Sequence, residues 1–397
     1  MTKEIQQETI RGIALRAKAL GGRAMLVGGC VRDALTGRGS ADIDCEVYGL
    51  APQALRSLAA EFGEVDESGA RYGIFSLKGA GIDLAVPRLE RRTGPKHGDF
   101  DVRLDPALPF ARAAARRDFT VNAILQDALT GEIVDPFGGQ DDLRRGVLRA
   151  VPGDGFAEDP LRVLRGAQFA ARFRLSPDAK TLEKMRTMRT DALSPARVLG
   201  EMKKAMASDA PDVFFDVLRR ADALRTWFGE LAALIGVPQP PRYHPEGDAY
   251  THSMRVLHAA AQKKARALRP EAFVFAALTH DLGKAVSTAR GEDGEWHACG
   301  HENTGVPLTR AMLGRLGVNR EIIAYCENMC RLHMRAHVCH YRQAETGETN
   351  LLFDESVCPN DLALLAVCDT LGKGSASGGA DGEAAFLTGR VRVYEET

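Results

Sequence analysis

Two aspartates, Asp42 and Asp44, follow a glycine-rich turn near the start of the chain. The turn, Gly28-Gly29, ends the apolar run RAMLV and precedes Arg32. Glycines let backbone N–H groups approach phosphates at a helix N-terminus, where the helix dipole and Arg32 add positive potential. Residues two apart on a strand point to one face, so both carboxylates could share divalent ions that clamp the reacting oxygens of a phosphoryl displacement. An isolated Asp-x-Asp pair is typical of a solvated strand end, but after this turn it predicts nucleotidyl transfer.

A second group of candidate residues lies in the C-terminal third, where histidine is concentrated. Only His97 of the 10 histidines precedes residue 244. The candidate ligands, which fall in helical sequence, are His252, His280, Asp281, His301, His333, His337 and Asp369. Mixed imidazole and carboxylate ligands suit divalent metals that keep open positions for water and phosphate oxygens. A structural zinc site remains an alternative, because Cys326 and Cys330 continue the helical face that bears His333.

The N-terminal motifs resemble those of the bacterial tRNA nucleotidyltransferase and poly(A) polymerase family. They run in order from residue 28 to residue 165: GGCVRDALTGR, DID, RRDFTVNA, DPFGG and EDPLRVLR. The resemblance implies a polymerase-β-like head followed by a neck, body and tail, with Mg²⁺ on Asp42 and Asp44. It also implies template-independent addition of CMP and AMP, from CTP and ATP, to the 3′ end of a tRNA.

The same resemblance assigns nucleotide contacts within the head. Gly29 and Arg32 would lie at the phosphates, and Arg117 matches a family residue that contacts the nucleotide. Asp118 would accept a hydrogen bond from a ribose hydroxyl. Asn122 and the DPFGG turn would fix the loop.

Base choice is expected at the start of a helix. With a helix opening at Glu158-Asp159, the side chains of Asp159 and Arg162 would share one face, with Arg165 one step further along it. An Asp acceptor beside an Arg donor suits cytosine and adenine, whereas uracil and guanine present the reverse polarity. The resemblance implies that Glu158 orients Arg162. A simple salt bridge at a helix start is the alternative.

The sequence leaves two points open, the identity of the third carboxylate and the extent of nucleotide addition. Asp83, in GIDLAVPR, is the candidate to help deprotonate the attacking hydroxyl, or equally an edge residue. The segment between Arg88 and Arg116 is interpreted as a mobile loop, which in the family helps to switch from adding C to adding A. Because ALPFARAAA replaces a commonly acidic stretch, the sequence leaves open a partial enzyme that adds only CC or only A. A poly(A) polymerase, or a phosphohydrolase with a vestigial RNA-binding head, are further alternatives.

The C-terminal histidines resemble the HD phosphohydrolase superfamily. His252, His280, Asp281 and Asp369 match its four-ligand signature, and further positions that could hold a second metal or phosphate are His301, His333 and His337. The resemblance implies a divalent transition metal or Mg²⁺. It also implies phosphatase or 2′,3′-cyclic phosphodiesterase activity.

The elements that must position these residues indicate an α+β chain. Short β-like runs alternate with helices over residues 22–150, and the hydrophobic period then changes to 3.6. We predict a head over 1–150, an all-helical neck and body over 151–240, an all-helical HD domain over 241–373, and a flexible linker and tail over 374–397. The first twenty residues predict an amphipathic helix.

Composition excludes several protein classes. The 397 residues are 45% hydrophobic and 26% charged, which argues against a disordered or fibrous chain. The net charge of -1 gives no overall attraction to RNA, so tRNA binding requires a local basic track. Residues 162–204 are the candidate track, with Lys or Arg at 162, 165, 172, 174, 180, 184, 186, 189, 197, 203 and 204, and a solvated helical face is the alternative. Without an apolar run of about 20 residues or an export signal, we expect a cytoplasmic protein with reduced thiols and no membrane partner, of undetermined oligomeric state.

Overall fold

The structure, a computed structural model, describes residues 2–40, 42–92, 100–374 and 379–396. Two compact units are present, the first formed by Met1–Arg162 with Leu175–Thr187 and the second by Val163–Arg174 with Met188–Thr397. The first unit is mixed α and β and the second is almost entirely helical, so the predicted α+β class is confirmed. The predicted four-segment division stays a prediction.

Helices and short strands are distributed as follows. The helices are α1 (Lys3–Ala19), α2 (Gly29–Leu35), α3 (Pro52–Ala60), α4 (Phe110–Ala114), α5 (Gly139–Arg145), α6 (Leu161–Phe173), α7 (Ala179–Arg186), α8 (Pro195–Met206), α9 (Asp212–Arg220), α10 (Leu224–Trp227), α11 (Gly229–Ala232), α12 (Ala249–Lys263), α13 (Pro270–Thr279), α14 (Lys284–Ser287), α15 (His301–Leu316), α16 (Arg320–Tyr341), α17 (Thr346–Glu355), α18 (Pro359–Gly372) and α19 (Ala380–Glu395). The strands are β1 (Arg23–Val27), β2 (Ile43–Tyr48), β3 (Val65–Asp66), β4 (Ile74–Leu77), β5 (Ile82–Ala85), β6 (Arg88–Arg92), β7 (Phe100–Leu104), β8 (Leu125–Asp127), β9 (Ile133–Val134), β10 (Val147–Leu148), β11 (Ser176–Pro177), β12 (Ala289–Arg290) and β13 (Trp296–His297).

The first unit is built on a seven-stranded sheet in the order β3-β4-β5-β2-β1-β8-β9. Strands β2 and β5 pair in parallel, whereas β1 pairs antiparallel with both β2 and β8. The predicted N-terminal helix is confirmed as α1, whose residues Ile13 and Ala17 are buried with Leu55 of α3 against the sheet. This packing buries the apolar side chains of β2 and β5 and leaves the alternate side chains free to form a site.

Two expectations for this part of the chain need correction. The segment expected to be a mobile loop between Arg88 and Arg116 contains the antiparallel pair β6–β7 and helix α4, although residues 93–99 lie outside the described residues. The region from Pro160 to Ile235 is not entirely helical, because β11 pairs in parallel with β10. In both places strand pairing satisfies backbone groups that sequence periodicity had assigned to a loop or a helix.

The second unit packs long helices around buried ligand positions. Helix α12 packs on α13 and α18, α13 also packs on α16, and α15 lies along α16. Helix α12 begins after Asp248, whose side chain accepts a hydrogen bond from the backbone N–H of Thr251 and places His252 in the first turn. These helices carry every predicted C-terminal ligand except His280 and Asp281, which lie in the turn between α13 and α14.

The expectation of a flexible C-terminal tail is wrong for residues 380–395. They form α19, which packs against α18, α17 and α16. The cause is a buried stripe at helical spacing, Ala380, Glu383, Leu387 and Val391. The Gly- and Ser-rich composition before it masked this stripe in the sequence, and residues 375–378 lie outside the described residues.

Across the described segments, every helix is too short or too polar to span a membrane. All eight cysteines are free thiols.

Candidate active sites

The glycine turn of the first unit lies directly beside Asp44 and Arg117. Gly28 has φ +74, and a Cβ there would lie 2.9 Å from Arg117 Nη1 and 3.7 Å from Asp44 Oδ2. Both the backbone conformation and the close approach therefore require glycine. Helix α2 starts at Gly29. The turn thus brings a helix N-terminus, a guanidinium and a carboxylate together.

Three carboxylates share one face of the sheet next to this turn. Asp44 and Asp83 are Cα partners in the parallel ladder between β2 and β5, and Asp42 lies two residues before Asp44. All three side chains reach solvent. The surrounding protein nevertheless partly desolvates Asp44 and raises its pKa above the ordinary value, and the charges of Asp83 and Asp42 add to this against the opposing effect of Arg117. Grouped carboxylate oxygens that repel one another are suited to a hard divalent cation.

Glu46 is a buried residue of this site that the sequence analysis omitted. Its side chain is 2% exposed, and Oε1 accepts hydrogen bonds from Arg116 Nη2 at 2.7 Å and Arg117 Nη2 at 3.0 Å. Tyr48 donates its hydroxyl to Oε2 at 2.9 Å. Burial opposes ionisation of Glu46, but Arg117 and Arg116 outweigh it and lower the pKa. The period-two pattern of acids from Asp42 through Glu46 was the available signal.

Arg32 and Asp118 are turned into the protein. Arg32 is 5% exposed and donates from Nη1 to Asn122 Oδ1 at 2.6 Å. Asn122 Nδ2 in turn donates to Asp118 Oδ1 at 2.8 Å, and that oxygen also accepts from the backbone N–H of Phe119. Asn122 therefore links the two predicted contact residues and holds the loop, whereas their nucleotide contacts stay predictions.

The predicted base-reading helix begins later than expected. Helix α6 starts at Leu161, and Asp159 lies before it in extended backbone, where Oδ1 accepts from the backbone N–H of Leu161 at 3.0 Å. Asp159 and Arg162 are therefore not on one helical face, which corrects the expected spacing argument. Glu158 ends the 3₁₀ turn over 155–158.

Arg162 is held by backbone carbonyl groups of the first unit. Nη1 donates to Gly155 O at 2.7 Å and Nη2 to Arg116 O at 2.6 Å, while the guanidinium lies 6.0 Å from the Phe156 ring centre. Arg165 belongs to the second unit, where it lies over Phe169. The base-reading roles stay predictions, as does the basic track, whose eleven cations are divided between the two units.

The second unit brings six predicted ligands together around Asp281. Its Oδ2 lies 3.2 Å from His280 Nε2 and 3.5 Å from His252 Nε2. Its Oδ1 lies 3.1 Å from His301 Nε2 and 3.5 Å from His333 Nε2. Two groups with metal-binding geometry result, His252 with His280 and Asp369, and Asp281 with His301 and His333. One carboxylate therefore lies between two candidate metal positions.

Buried polar atoms of these groups contact one another without well-formed hydrogen bonds. They are His252 Nε2, His280 Nε2, both carboxylate oxygens of Asp281, and Asp369 Oδ1. Crowding imidazole nitrogens and carboxylate oxygens in the interior without good hydrogen bonds is costly, and bound cations would satisfy them. Burial lowers the pKa of His333 to about 4, so its imidazole is neutral at neutral pH, the form that ligates metal. The donor set fits a borderline divalent metal.

Gly283 allows the two ligand-bearing segments to meet. A Cβ at this position would lie 1.9 Å from the backbone oxygen of His301 and 2.7 Å from Gly305 N. Any side chain would therefore push the start of α15 away from the His280–Asp281 turn. Lys284 follows, with Nζ 2.7 Å from Asp281 Oδ2 and 2.8 Å from Gln239 Oε1.

Neither His244 nor Glu246 was among the predicted ligands, yet with His252 they form a third group with metal-binding geometry. One oxygen, Glu246 Oε1, lies 2.8 Å from His244 Nδ1 and 2.7 Å from His252 Nδ1. This carboxylate fixes the orientation of His252 and points its Nε2 at the ligand group. The segment HPEGD, immediately before the helix that carries His252, was the available signal.

His337 lies outside both metal-binding groups. Its Nε2 is 2.6 Å from Asp369 Oδ2 and its Nδ1 is 2.7 Å from Glu383 Oε1. Burial opposes protonation, but Asp369 and Glu383 outweigh it and raise the pKa of His337 to about 9. Among the described residues no group with metal-binding geometry includes His337, so the structure does not support the ligand role that the sequence suggested for it.

The alternative zinc site at Cys326 and Cys330 has no support in the structure. Both thiols are buried and contact backbone carbonyls, Cys326 with Ala272 and Cys330 with His280. Burial raises the pKa of both thiols, which disfavours the thiolate that zinc requires. Within the described segments, no group with metal-binding geometry includes a cysteine.

A cavity of about 500 Å³ opens beside the histidine-rich centre. Its lining includes the ligands His301 and Asp369, two lysines, Lys284 and Lys373, and the ring of Trp296. Ligand atoms, cationic side chains and an aromatic surface at one opening suit a phosphate ester that carries an organic group.

Two family models match the chain. Residues 24–149 match the Poly A polymerase head domain, and residues 249–371 match the HD domain. The first range contains the three carboxylates and the second contains six of the candidate ligands and His337.

Relatives and a solved structure resemble most of the chain. The multifunctional CCA protein of Nitrosococcus oceani is 41% identical over 318 residues, covering 79% of this chain and 74% of that protein. That of Stenotrophomonas maltophilia is 38% identical over 355 residues, covering 86% and 84%. The Thermotoga maritima CCA-adding enzyme complexed with tRNA has a TM-score of 0.65 at 16% identity, covering 100% of this chain and 83% of that one. At this identity, the structural likeness bears on the fold alone.

Proposed function

Because the chain belongs to the family of bacterial multifunctional CCA proteins, we propose that Asp42, Asp44 and Asp83 carry out CCA addition. The chain is a nucleotidyltransferase that adds CMP and AMP, from CTP and ATP, to the 3′ end of tRNA. The observation that carries the residue assignment is the grouping of these carboxylates on one face of the sheet beside the Gly28 turn.

The proposed division of labour in the head follows from the contacts. Asp42 and Asp44 would hold Mg²⁺, which when bound neutralises charge on the reacting phosphate oxygens. Asp83 accepts the proton of the attacking 3′-hydroxyl, since it lies beside Asp44 on the same face. Arg117, kept in place by Glu46, binds the nucleotide at the glycine turn. Pyrophosphate is the leaving group.

Base choice is proposed for Asp159 and Arg162, and the roles predicted from the sequence for Glu158 and Arg165 are proposed with them. The carbonyl contacts that hold Arg162 orient its guanidinium in the absence of nucleotide. A fixed donor is useful for selection, because a wrong base then leaves a polar group without a partner.

For the second unit we propose metal-dependent phosphohydrolase activity. The supporting observation is the set of buried ligand atoms without well-formed hydrogen bonds next to the cavity that Lys284 and Lys373 line. His252, His280 and Asp369 would hold one divalent transition metal or Mg²⁺ together with the adjacent Asp281, and Asp281, His301 and His333 a second. The metal would activate water and the lysines would bind phosphate oxygens. A 2′,3′-cyclic phosphate or phosphomonoester at a damaged tRNA end is the proposed substrate.

The extent of addition is tested by supplying CTP alone, ATP alone, or both to a tRNA that ends at the discriminator base. Complete CCA addition requires both nucleotides and stops after A. Addition that stops at CC with both present indicates a partial enzyme, and an A tail of indefinite length indicates a poly(A) polymerase. If no nucleotide is added under any condition, only the alternative of a phosphohydrolase with an inactive head remains.

The second activity is tested on the metal-free chain with a 2′,3′-cyclic nucleotide and a phosphomonoester as substrates. Ni²⁺, Co²⁺, Mn²⁺ and Mg²⁺ are added back separately. Hydrolysis that depends on the added metal is expected, whereas equal hydrolysis in chelator would contradict the proposal.

A further inference from the structure

The C-terminal helix α19 carries a buried carboxylate in an otherwise apolar stripe. Glu383 is 2% exposed and occupies the same face as the buried residues Leu387 and Val391. A charged residue at a core position is costly unless it is paired. This helix lies outside both ranges that match family models. Glu383 is therefore expected to have a role beyond packing.

The partners of Glu383 connect it to the histidine-rich centre. Its Oε1 lies 2.7 Å from His337 Nδ1, and its Oε2 accepts the hydroxyl of Thr370 at 2.5 Å. The other nitrogen of that imidazole, Nε2, lies 2.6 Å from Asp369 Oδ2. Three helices, α19, α16 and α18, thus meet in one line of hydrogen-bonded groups.

The line ends at the oxygen pair of Asp369. One oxygen, Oδ2, contacts His337, while Oδ1 faces the ligand group, 2.9 Å from His252 Nε2 and 3.8 Å from Lys373 Nζ, without a well-formed hydrogen bond. A carboxylate held at one oxygen presents the other in a fixed direction. Groups that orient metal ligands in this way change metal affinity strongly, although they never touch the metal.

We infer that Glu383 is a positioning residue which, through His337, aims Asp369 at the metal of the phosphohydrolase centre. The inference rests on the proposed function of the second unit. It assigns α19 to the active site rather than to a tail, and it accounts for the position of His337 between Asp369 and Glu383. Glu383 acts through Thr370 as well, because that residue follows Asp369 directly on α18.

The test measures the affinity of the full-length chain for Co²⁺, by calorimetry and by the visible absorption of the bound ion. Glu383→Gln keeps the size of the side chain, but its neutral carbonyl oxygen binds His337 more weakly and its NH₂ group cannot accept the Thr370 hydroxyl proton. We expect about 10- to 100-fold weaker Co²⁺ binding and an altered absorption spectrum. CCA addition by the same preparation should be unchanged, which verifies that the first unit is folded, and an unchanged circular dichroism spectrum verifies the fold of the helical second unit.

The matched control is Asp381→Asn, which removes an exposed carboxylate from the first turn of the same helix. It should bind Co²⁺ as the unsubstituted chain does. Equal binding by Glu383→Gln and the unsubstituted chain would overturn this inference alone. If the unsubstituted chain binds no Co²⁺, Ni²⁺ or Mg²⁺, the proposed metal centre itself fails, and this inference with it.

A second variant, Glu383→Asp, tests the same inference if Glu383→Gln does not fold. Glu383→Asp retains the charge but withdraws the carboxylate by one methylene group. Binding at least about threefold weaker supports the positioning role, because a shift of the carboxylate then matters. Binding equal to that of the unsubstituted chain overturns it.

Discussion

Asp44 and Asp83 are Cα partners in the parallel ladder between β2 and β5, so their side chains leave the sheet on the same face. The two residues are far apart in sequence, and neither Asp-x-Asp spacing nor strand periodicity relates them. Their adjacency turns a pair of aspartates into a group of three. It also favours Asp83 as a participant in the reaction over the alternative of an edge residue.

Asp83→Asn should lower the rate of CMP addition by about 10²- to 10⁴-fold, because the amide cannot accept the proton of the attacking hydroxyl. Single-turnover incorporation into tRNA measures this rate. Glu64→Gln, an exposed acid next to the edge strand β3, is the control and should retain full activity. A rate for Asp83→Asn within about twofold of that of the unsubstituted chain would show that Asp83 takes no part in the reaction.

Asp42→Ala and Asp44→Ala should each abolish nucleotide addition, since the remaining carboxylates cannot hold the metal ions of the displacement. Phosphohydrolase activity should persist, because its ligands all lie in the second unit. Both activities are measured on one preparation. Loss of both in a folded variant would be inconsistent with two separate sites.

Asp281→Ala should have the opposite effect, removing the carboxylate that lies between the two candidate metal positions. Metal-dependent hydrolysis should disappear while CCA addition continues at its normal rate. The bound metal, measured by elemental analysis after gel filtration, should fall in parallel. Unaltered hydrolysis would mean that Asp281 is not a ligand.

Glu46→Gln should destabilise the head by about 3 kcal/mol at pH 7, because Arg116 and Arg117 lose their buried partner. The folded-state pKa of Glu46 is lowered, so its stabilisation is present above its unfolded value near 4.5 and is lost as the pH falls through the folded value. The difference in unfolding free energy from the unsubstituted chain should therefore shrink below about pH 4.5.

Urea denaturation at pH 7 and at pH 4 measures this difference. Glu132→Gln removes an exposed partner of Arg23 and should change stability by less than about 0.5 kcal/mol. CMP addition by Glu46→Gln should also fall, since Arg117 is no longer held beside Gly28. An equal loss of stability at both pH values would show that the charge of Glu46 is not responsible.

Arg162→Ala should release base selection, raising the incorporation of U and G relative to C and A by about 10- to 100-fold. Asp159→Ala should act in the same direction. Competition among four nucleoside triphosphates on one tRNA measures this ratio. If loss of the contacts with Gly155 and Arg116 slows all additions equally, the ratio does not change. Arg145→Ala, an exposed arginine paired with Asp141, is the control. A variant that adds nucleotides slowly but still prefers C and A would show that other residues select the base.

The sequence by itself determined the local features of this protein. Asp42 and Asp44 were placed on one face because residues two apart in extended backbone point the same way, and His280 and Asp281 enter one cluster of candidate ligands because they are adjacent. The α+β class followed from the change of hydrophobic period, and the family followed from motifs that keep their order along the chain. These properties depend on spacing over a few residues, which the sequence states directly.

Only the tertiary structure decided which distant residues meet. The contacts of Glu46 with Arg117, and of Glu383 with His337, depend on how sheets and helices pack, and no local spacing encodes them. The same holds for Arg162, whose role was argued from a helix that in fact begins at Leu161, after Asp159. The tail was misjudged because helix formation at α19 is stabilised by burial against α18, α17 and α16, a contribution that local composition does not contain.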